Sequence, residues 1–197
     1  MFKLSDNNYY NVKHKKNIIV IGNTFATDMN HYIGWTLRFN GGFKRTAHFT
    51  ILKDGTIHNH FPTDYYSDFI GNDKQDKQCI SIVLENQGWL IKDSNEENKF
   101  INYLGHIYNK QDVVKKNWRN FKYWEPYTNE QYESLIKLTK ELCQEHDIKL
   151  NVVEHNTNIS NLDEYSILYR SNFTKYYTDV SPTFDFNNFK EKLQINE

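Results

Sequence analysis

Ile18, Ile19, Val20 and Ile21 form an unbroken apolar, β-branched run that stops at Gly22, Asn23 and Thr24. A short run bounded by turn-forming residues reads as a strand, and one without polar alternation is covered on both faces. This segment therefore predicts an internal strand of an α/β sheet, and no other part of the chain is as restrictive. The rest must supply a core from few apolar side chains: only 38% of the 197 residues are hydrophobic, yet 16% are aromatic. Large rings are expected to fill it. The length suits one domain. A mean hydropathy of −0.81 and the absence of a long apolar run exclude a membrane-spanning helix. Lys+Arg 24 against Asp+Glu 25 gives a net charge of −1. That balance argues against nucleic acid or a polybasic membrane contact. Residues 1–16 are expected to form a polar N-terminal segment without the apolar stretch of a secretory signal. Cys79 and Cys143 are too few for a disulfide framework and read as buried thiols of a reducing compartment.

Periodicity places the other elements. Met29, Ile33 and Leu37 recur at helical spacing within residues 28–39 and predict a helix with that stripe inward, stopped by Gly41 and Gly42. Residues 48–52 and 56–61 flank Lys53, Asp54 and Gly55, the signature of a hairpin. Residues 80–84 (Ile, Ser, Ile, Val, Leu) read as another buried strand. Residues 98–110 and the Trp/Lys-rich stretch to Trp124 read as a helix plus an irregular insertion. Thr128 followed by Gln131 is a capping box opening a helix with Tyr132, Leu135, Ile136, Leu142 and Cys143 on one face. Residues 150–154 read as a short strand and 184–193 as a terminal helix. The order predicts an α/β fold: a single domain with a central mixed β-sheet flanked by helices.

Three pieces, taken in order, resemble the zinc-dependent N-acetylmuramoyl-L-alanine amidases, which share their fold with peptidoglycan recognition proteins. They are residues 18–24; Ala47 and His48 with Asp54, Gly55 and the strand from Cys79 to Asn86; and Tyr127 to Gln131 with Glu154, His155, Asp179 and Pro182. The resemblance covers about residues 17–190, with insertions near 93–126 and 157–177, and the wording is nearest to versions carried by tailed phages. It implies a domain over 17–197, three protein ligands around Zn²⁺, and an open position where a metal-bound water becomes a nucleophile. His155 and Asp179 match the second and third ligands. The first ligand falls on Gly22, which has no donor atom. The Tyr expected before the hairpin His falls on Ala47, the alternative Glu on Val83, and the assisting Lys on Tyr177, with Lys175 close by. One zinc ligand of four carries on the order of 3 kcal/mol, so its loss weakens binding roughly a hundredfold.

The expected reading is a degenerate amidase-like phage protein that binds a peptidoglycan fragment or another small ligand in the former active-site groove. No cofactor is expected, and no nucleic-acid or membrane partner. Asn23, His31, Trp35, Arg38, His48 and Arg170 are the candidate ligand-binding residues, with Arg45 a further candidate for an anion. His155 and Asp179 remain as an incomplete metal pair; an Asp before Val, Ser and Pro also caps a turn. His48 is read equally as a groove residue or as a core His bonded to backbone, and His58 and His60 as a solvent-facing pair. Two alternatives stay open. One is an active zinc amidase whose site has been rebuilt with His31 or His48. The other is a phage accessory or structural protein with a different ligand or a protein partner. The expected location is the cytoplasm of an infected host, or the virion.

Overall fold

The computed structural model describes residues 2–94, 96, 99–109 and 111–195. The apolar run forms β1 (Ile18–Asn23), and Ile19, Val20 and Ile21 are fully enclosed. Each such side chain contributes roughly 1.5–3 kcal/mol of burial. Then come α1 (Asn30–Leu37), the hairpin β2 (Phe49–Ile51) and β3 (Ile57–Asn59), α2 (Asp73–Gln78) and β4 (Cys79–Leu84). A second group follows: β5 (Trp89–Lys92), β6 (Phe100–Asn102), β7 (Ile107–Tyr108), β8 (Val114–Trp118) and β9 (Phe121–Trp124). The chain closes with α3 (Asn129–His146), β10 (Ile167–Tyr169) and α4 (Phe186–Gln194).

The central sheet has the order β10-β1-β4-β2-β3. It is mixed, as expected: β1 runs parallel to β10 and β4, β2 parallel to β4, and β3 antiparallel to β2. Gly22 pairs with Val83 and Asn23 with Leu84, so β1 and β4 end together. Thr128 caps α3 with the reciprocal box read from the sequence, and Gln131 also donates to the Glu85 carbonyl. That bond ties the first turn of α3 to the end of β4.

Four expectations need correction. The stretch read as a helix with an irregular insertion is a second, antiparallel sheet of order β7-β6-β5-β9-β8; positions 98 and 110 lie outside the described residues. Two of the three stripe residues face out: Ile33 is 52% and Leu37 72% exposed, whereas Met29, just before α1, is buried together with His31 and Trp35. Residues 150–154 carry only a bridge from Val152 to Ile167. The parallel edge strand is β10, inside what was read as an insertion. His60 is fully buried rather than turned to solvent.

The N-terminal segment packs on the domain. Tyr9 stacks on Phe61 at 4.6 Å, and the Leu4 N–H donates to the His60 carbonyl at 3.0 Å. Lys16 is buried there, its ammonium donating to the Lys77 carbonyl at 2.9 Å. Burial pushes its pKa down from 10.5 to about 8. The folded state therefore releases this proton before the unfolded chain does. The resulting cost to the fold is full below about pH 8 and fades as pH rises toward 10.5. Lys16→Met is expected to raise stability at neutral pH by roughly 1–3 kcal/mol, less the lost bond to Lys77. It should also flatten the rise in stability between pH 8 and 10.5. Urea unfolding at several pH values checks both, and an unchanged pH dependence would contradict the assignment.

Candidate functional site

The common end of β1 and β4 opens into a cavity of about 400 Å³. Asn23 comes from the end of β1, and His31, Gly34 and Trp35 from the inner side of α1. Trp89 of β5 and Tyr103 and Leu104 of the β6–β7 turn bring in the second sheet. Arg170, Tyr177 and Asp179 come from the segment after β10, and Arg38 and Arg45 stand at the exposed rim. The loop after β1 is held by Glu85, whose carboxylate accepts from the Asp28 N–H (2.8 Å) and the Lys53 N–H (2.9 Å).

The floor is polar and specific. Asp179 is buried, and its Oδ2 accepts the Asn23 N–H at 3.1 Å and faces an Arg170 terminal nitrogen at 3.6 Å. The Arg170 guanidinium lies between two rings, 4.9 Å from the centre of Phe69 and 4.2 Å from that of Tyr177. Its Nε donates to the Phe69 carbonyl at 3.0 Å. Burial pushes the Asp179 carboxyl up, while Arg170 and the Asn23 N–H pull it back. Tyr127 Oη accepts the Ser181 N–H and donates to Asn23 Oδ1, both at 2.9 Å. That fixes the Asn23 amide and leaves its Nδ2 as the group facing elsewhere.

A second chain fixes His31. The Phe2 carbonyl can only accept, so His60 Nδ1, 2.6 Å away, carries the proton. Burial holds His60 down to about 4 and His31 to about 3, so both rings are neutral at pH 7. His60 Nε2 therefore accepts from Thr50 Oγ1 at 2.8 Å, and Thr50 in turn accepts from His31 Nε2 at 2.9 Å. His31 is left with a bare lone pair on Nδ1, which has no partner.

Of the nine candidate binding or metal residues named from the sequence, Asn23, His31, Trp35, Arg38, Arg45, Arg170 and Asp179 meet at this cavity. His48 does not. Its Nδ1 meets Ser81 Oγ at 2.8 Å and its Nε2 the Tyr65 carbonyl at 3.0 Å, so both ring nitrogens are used inside the core. His155 does not either; it is exposed, with Nδ1 against Thr157 Oγ1 at 2.9 Å. Sequence reasoning missed Phe69, Trp89, Tyr103 and Tyr177, which form the aromatic walls. Tyr177 stands where the resemblance places a Lys, and that substitution was the available signal for a ring in the wall.

These residues do not fit a zinc ion. Among the described residues no three His, Cys, Asp or Glu side chains are grouped to hold a metal. At Gly22 a Cβ would lie 2.5 Å from Asp179 Oδ2 and 3.1 Å from Phe69 Cζ. No side chain can enter there unless Asp179 moves. The remaining carboxylate already has a fixed cation in Arg170, which would repel a divalent ion.

The comparisons agree with this frame. The family model described as N-acetylmuramoyl-L-alanine amidase matches residues 13–165. None of the curated proteins compared matches the sequence significantly. Among solved structures, the amidase LysC from Clostridium intestinale superposes with a TM-score of 0.54 at 18% identity, covering 98% of this chain and 91% of that one. AmiD from E. coli, solved with anhydro-N-acetylmuramic acid-L-Ala-D-gamma-Glu-L-Lys, gives 0.60 at 15%, covering 93% and 59%. AmpDh3 from Pseudomonas aeruginosa, solved with anhydromuramic pentapeptide, gives 0.58 at 14%, covering 98% and 66%. At these identities the structures show a shared fold, and the sequence match over residues 13–165 does the rest: this chain belongs to the N-acetylmuramoyl-L-alanine amidase family.

Proposed function

We propose that this chain is a phage-type member of the family that holds a peptidoglycan fragment in the cavity without a metal and without cutting it. The observation that carries this reading is the Arg170–Asp179 pair at the end of β1, packed against Gly22 where the resemblance places the first metal ligand. A fixed cation can take a carbonyl or carboxylate oxygen of a ligand, but it brings no water of lowered pKa as a nucleophile. The other features of the cavity suit the ligands found with AmiD and AmpDh3. Among the described residues Arg38 and Arg45 have no carboxylate within ion-pair distance, which leaves two guanidinium groups for the acids of a stem peptide. Trp89 and the exposed Tyr103 bring aromatic rings to the cavity wall, suited to a sugar ring.

Titration calorimetry with N-acetylmuramoyl-L-alanyl-D-isoglutamine, followed by mass analysis of the recovered ligand, tests the reading. Binding on the order of micromolar is expected, with the ligand intact. Absence of binding to this compound and to longer muropeptides would overturn the reading. Release of the free peptide would restore the active-amidase alternative.

A further inference from the structure

Apolar side chains stand exposed together on the outer flank of α1 and the turn after it. Ile33 and Leu37 lie one helical turn apart, and Phe39, two residues on, is 79% exposed. Scattered single apolar residues are ordinary on a surface, whereas adjoining ones mark a contact. The backbone is built to present this group. Phe39, Asn40 and Gly41 follow one another at positive φ (51°, 53° and 84°). Asn and Gly adopt that region readily, but a Phe there carries a steric cost. The turn is nonetheless pinned: the buried Asn8 Nδ2 lies 3.1, 2.9 and 3.2 Å from the carbonyls of Trp35, Gly41 and Phe43 and donates to them. The Phe39 ring is left standing out, with the half-buried Phe43 as its ring neighbour at 6.0 Å.

Cations accompany the apolar group. Arg38 and Arg45 are exposed in the same shallow hollow as Phe39, with the Arg38 guanidinium 5.3 Å from the centre of the Phe43 ring. Lys44 joins them, its ammonium 4.6 Å from the centre of Tyr10. Among the described residues the one carboxylate lining this hollow is Asp68, which accepts from the Tyr10 hydroxyl at 3.1 Å. The whole-chain charge of −1, from which no membrane partner is expected, therefore does not describe this face. Apolar tips projecting on a fixed turn, with cations beside them, match the layering of a bilayer, where phosphates overlie hydrocarbon. We infer that this turn docks on an anionic phospholipid surface, with Leu37 and Phe39 at the headgroup–acyl boundary and Arg38, Lys44 and Arg45 against the phosphates. Arg38 and Arg45 also stand at the rim of the cavity, so docking here brings the cavity mouth to the membrane surface. The apolar part of the contact lies outside the cavity, and the inference does not depend on what the cavity holds.

Sedimentation with vesicles tests this. The full chain is expected to bind vesicles of phosphatidylglycerol and phosphatidylcholine in equal parts, reversibly and more weakly as salt rises, and to leave pure phosphatidylcholine vesicles largely unbound. Phe39→Asn suits the positive φ, so the variant keeps the turn, and its melting curve is expected to match or exceed that of wild type. Its partitioning onto the mixed vesicles should nonetheless fall roughly tenfold, and Leu37→Gln should act in the same direction. Muropeptide affinity is expected to be unchanged in both variants, because neither side chain lines the cavity. Equal retention of wild type and both variants on the mixed vesicles, or no binding to them at all, overturns the inference. A wild-type dimer that Phe39→Asn dissolves, without vesicle binding, also overturns it and makes this face a contact between copies of the chain.

Discussion

Replacing Asp179 with alanine is expected to lower the unfolding free energy by about 3–5 kcal/mol, the usual cost of leaving one member of a buried ion pair alone. Arg170 cannot turn to solvent, because its side chain is only 13% exposed and lies between Phe69 and Tyr177. The Asn23 N–H loses its acceptor in the same substitution. The double variant Asp179→Ala, Arg170→Met should recover much of the loss, since it removes the charge that the single change strands. Urea unfolding of the three proteins, with m-values unchanged, checks this. A loss below about 1 kcal/mol in the single variant would mean that the pair is solvated and does not stand in for a metal.

Arg119→Ala is the second large effect. Arg119 sits with Asn120 at the tip of the β8–β9 hairpin, both at positive φ (49° and 71°). Gly, Asn and Asp favour that turn, so the positive φ of Arg119 is a backbone cost that its side-chain contacts offset. Its guanidinium donates to the carbonyls of Thr174 (2.9 Å), Ser171 (2.8 Å), Asn156 (3.3 Å) and Tyr177. One side chain thus fastens the second sheet to the segment that supplies Arg170, Tyr177 and Asp179 to the cavity. Truncation is expected to cost about 2–4 kcal/mol. Faster hydrogen exchange should be confined to residues 171–179 and the hairpin. Arg119→Gly relieves the backbone and should still be destabilised, because the four carbonyls lose their donor. Stability within 0.5 kcal/mol of wild type in both variants would contradict this role.

Local signals in the sequence carried far where the physics is local. The unbroken run of β1 required cover on both faces, Asp54 and Gly55 set a hairpin turn, and Thr128 with Gln131 set the start of α3. Each depends on neighbours within a few residues. The second sheet was illegible for the opposite reason. Its strands are two to five residues long, and Val114–Trp118 has three consecutive polar residues between its apolar ends. Such strands exist only by pairing with partners that no short window contains. Strand alternation assigns a face but not what lies over it, which is how His48 came to be placed in the groove. All three residues of β2 are buried, with cover on both sides. On α1 Ile33 and Leu37 point outward because the inward face carries His31 and Trp35, and His31 is tolerated there by its bond to Thr50, nineteen positions on in the chain and legible only in three dimensions. The failed match at Gly22 was plain in the sequence. That Arg170 and Asp179 meet beside it was not, because both reach Gly22 from the far end of the chain.

The most direct test is to titrate the purified protein with N-acetylmuramoyl-L-alanyl-D-isoglutamine before and after EDTA dialysis, with zinc content and ligand mass measured on the same samples. The account predicts substoichiometric zinc, the same affinity with and without EDTA, and ligand recovered whole. Near-stoichiometric zinc together with the freed peptide, both lost after EDTA, would show that the chain builds a metal centre by a route that Gly22, Arg170 and Asp179 are argued to close.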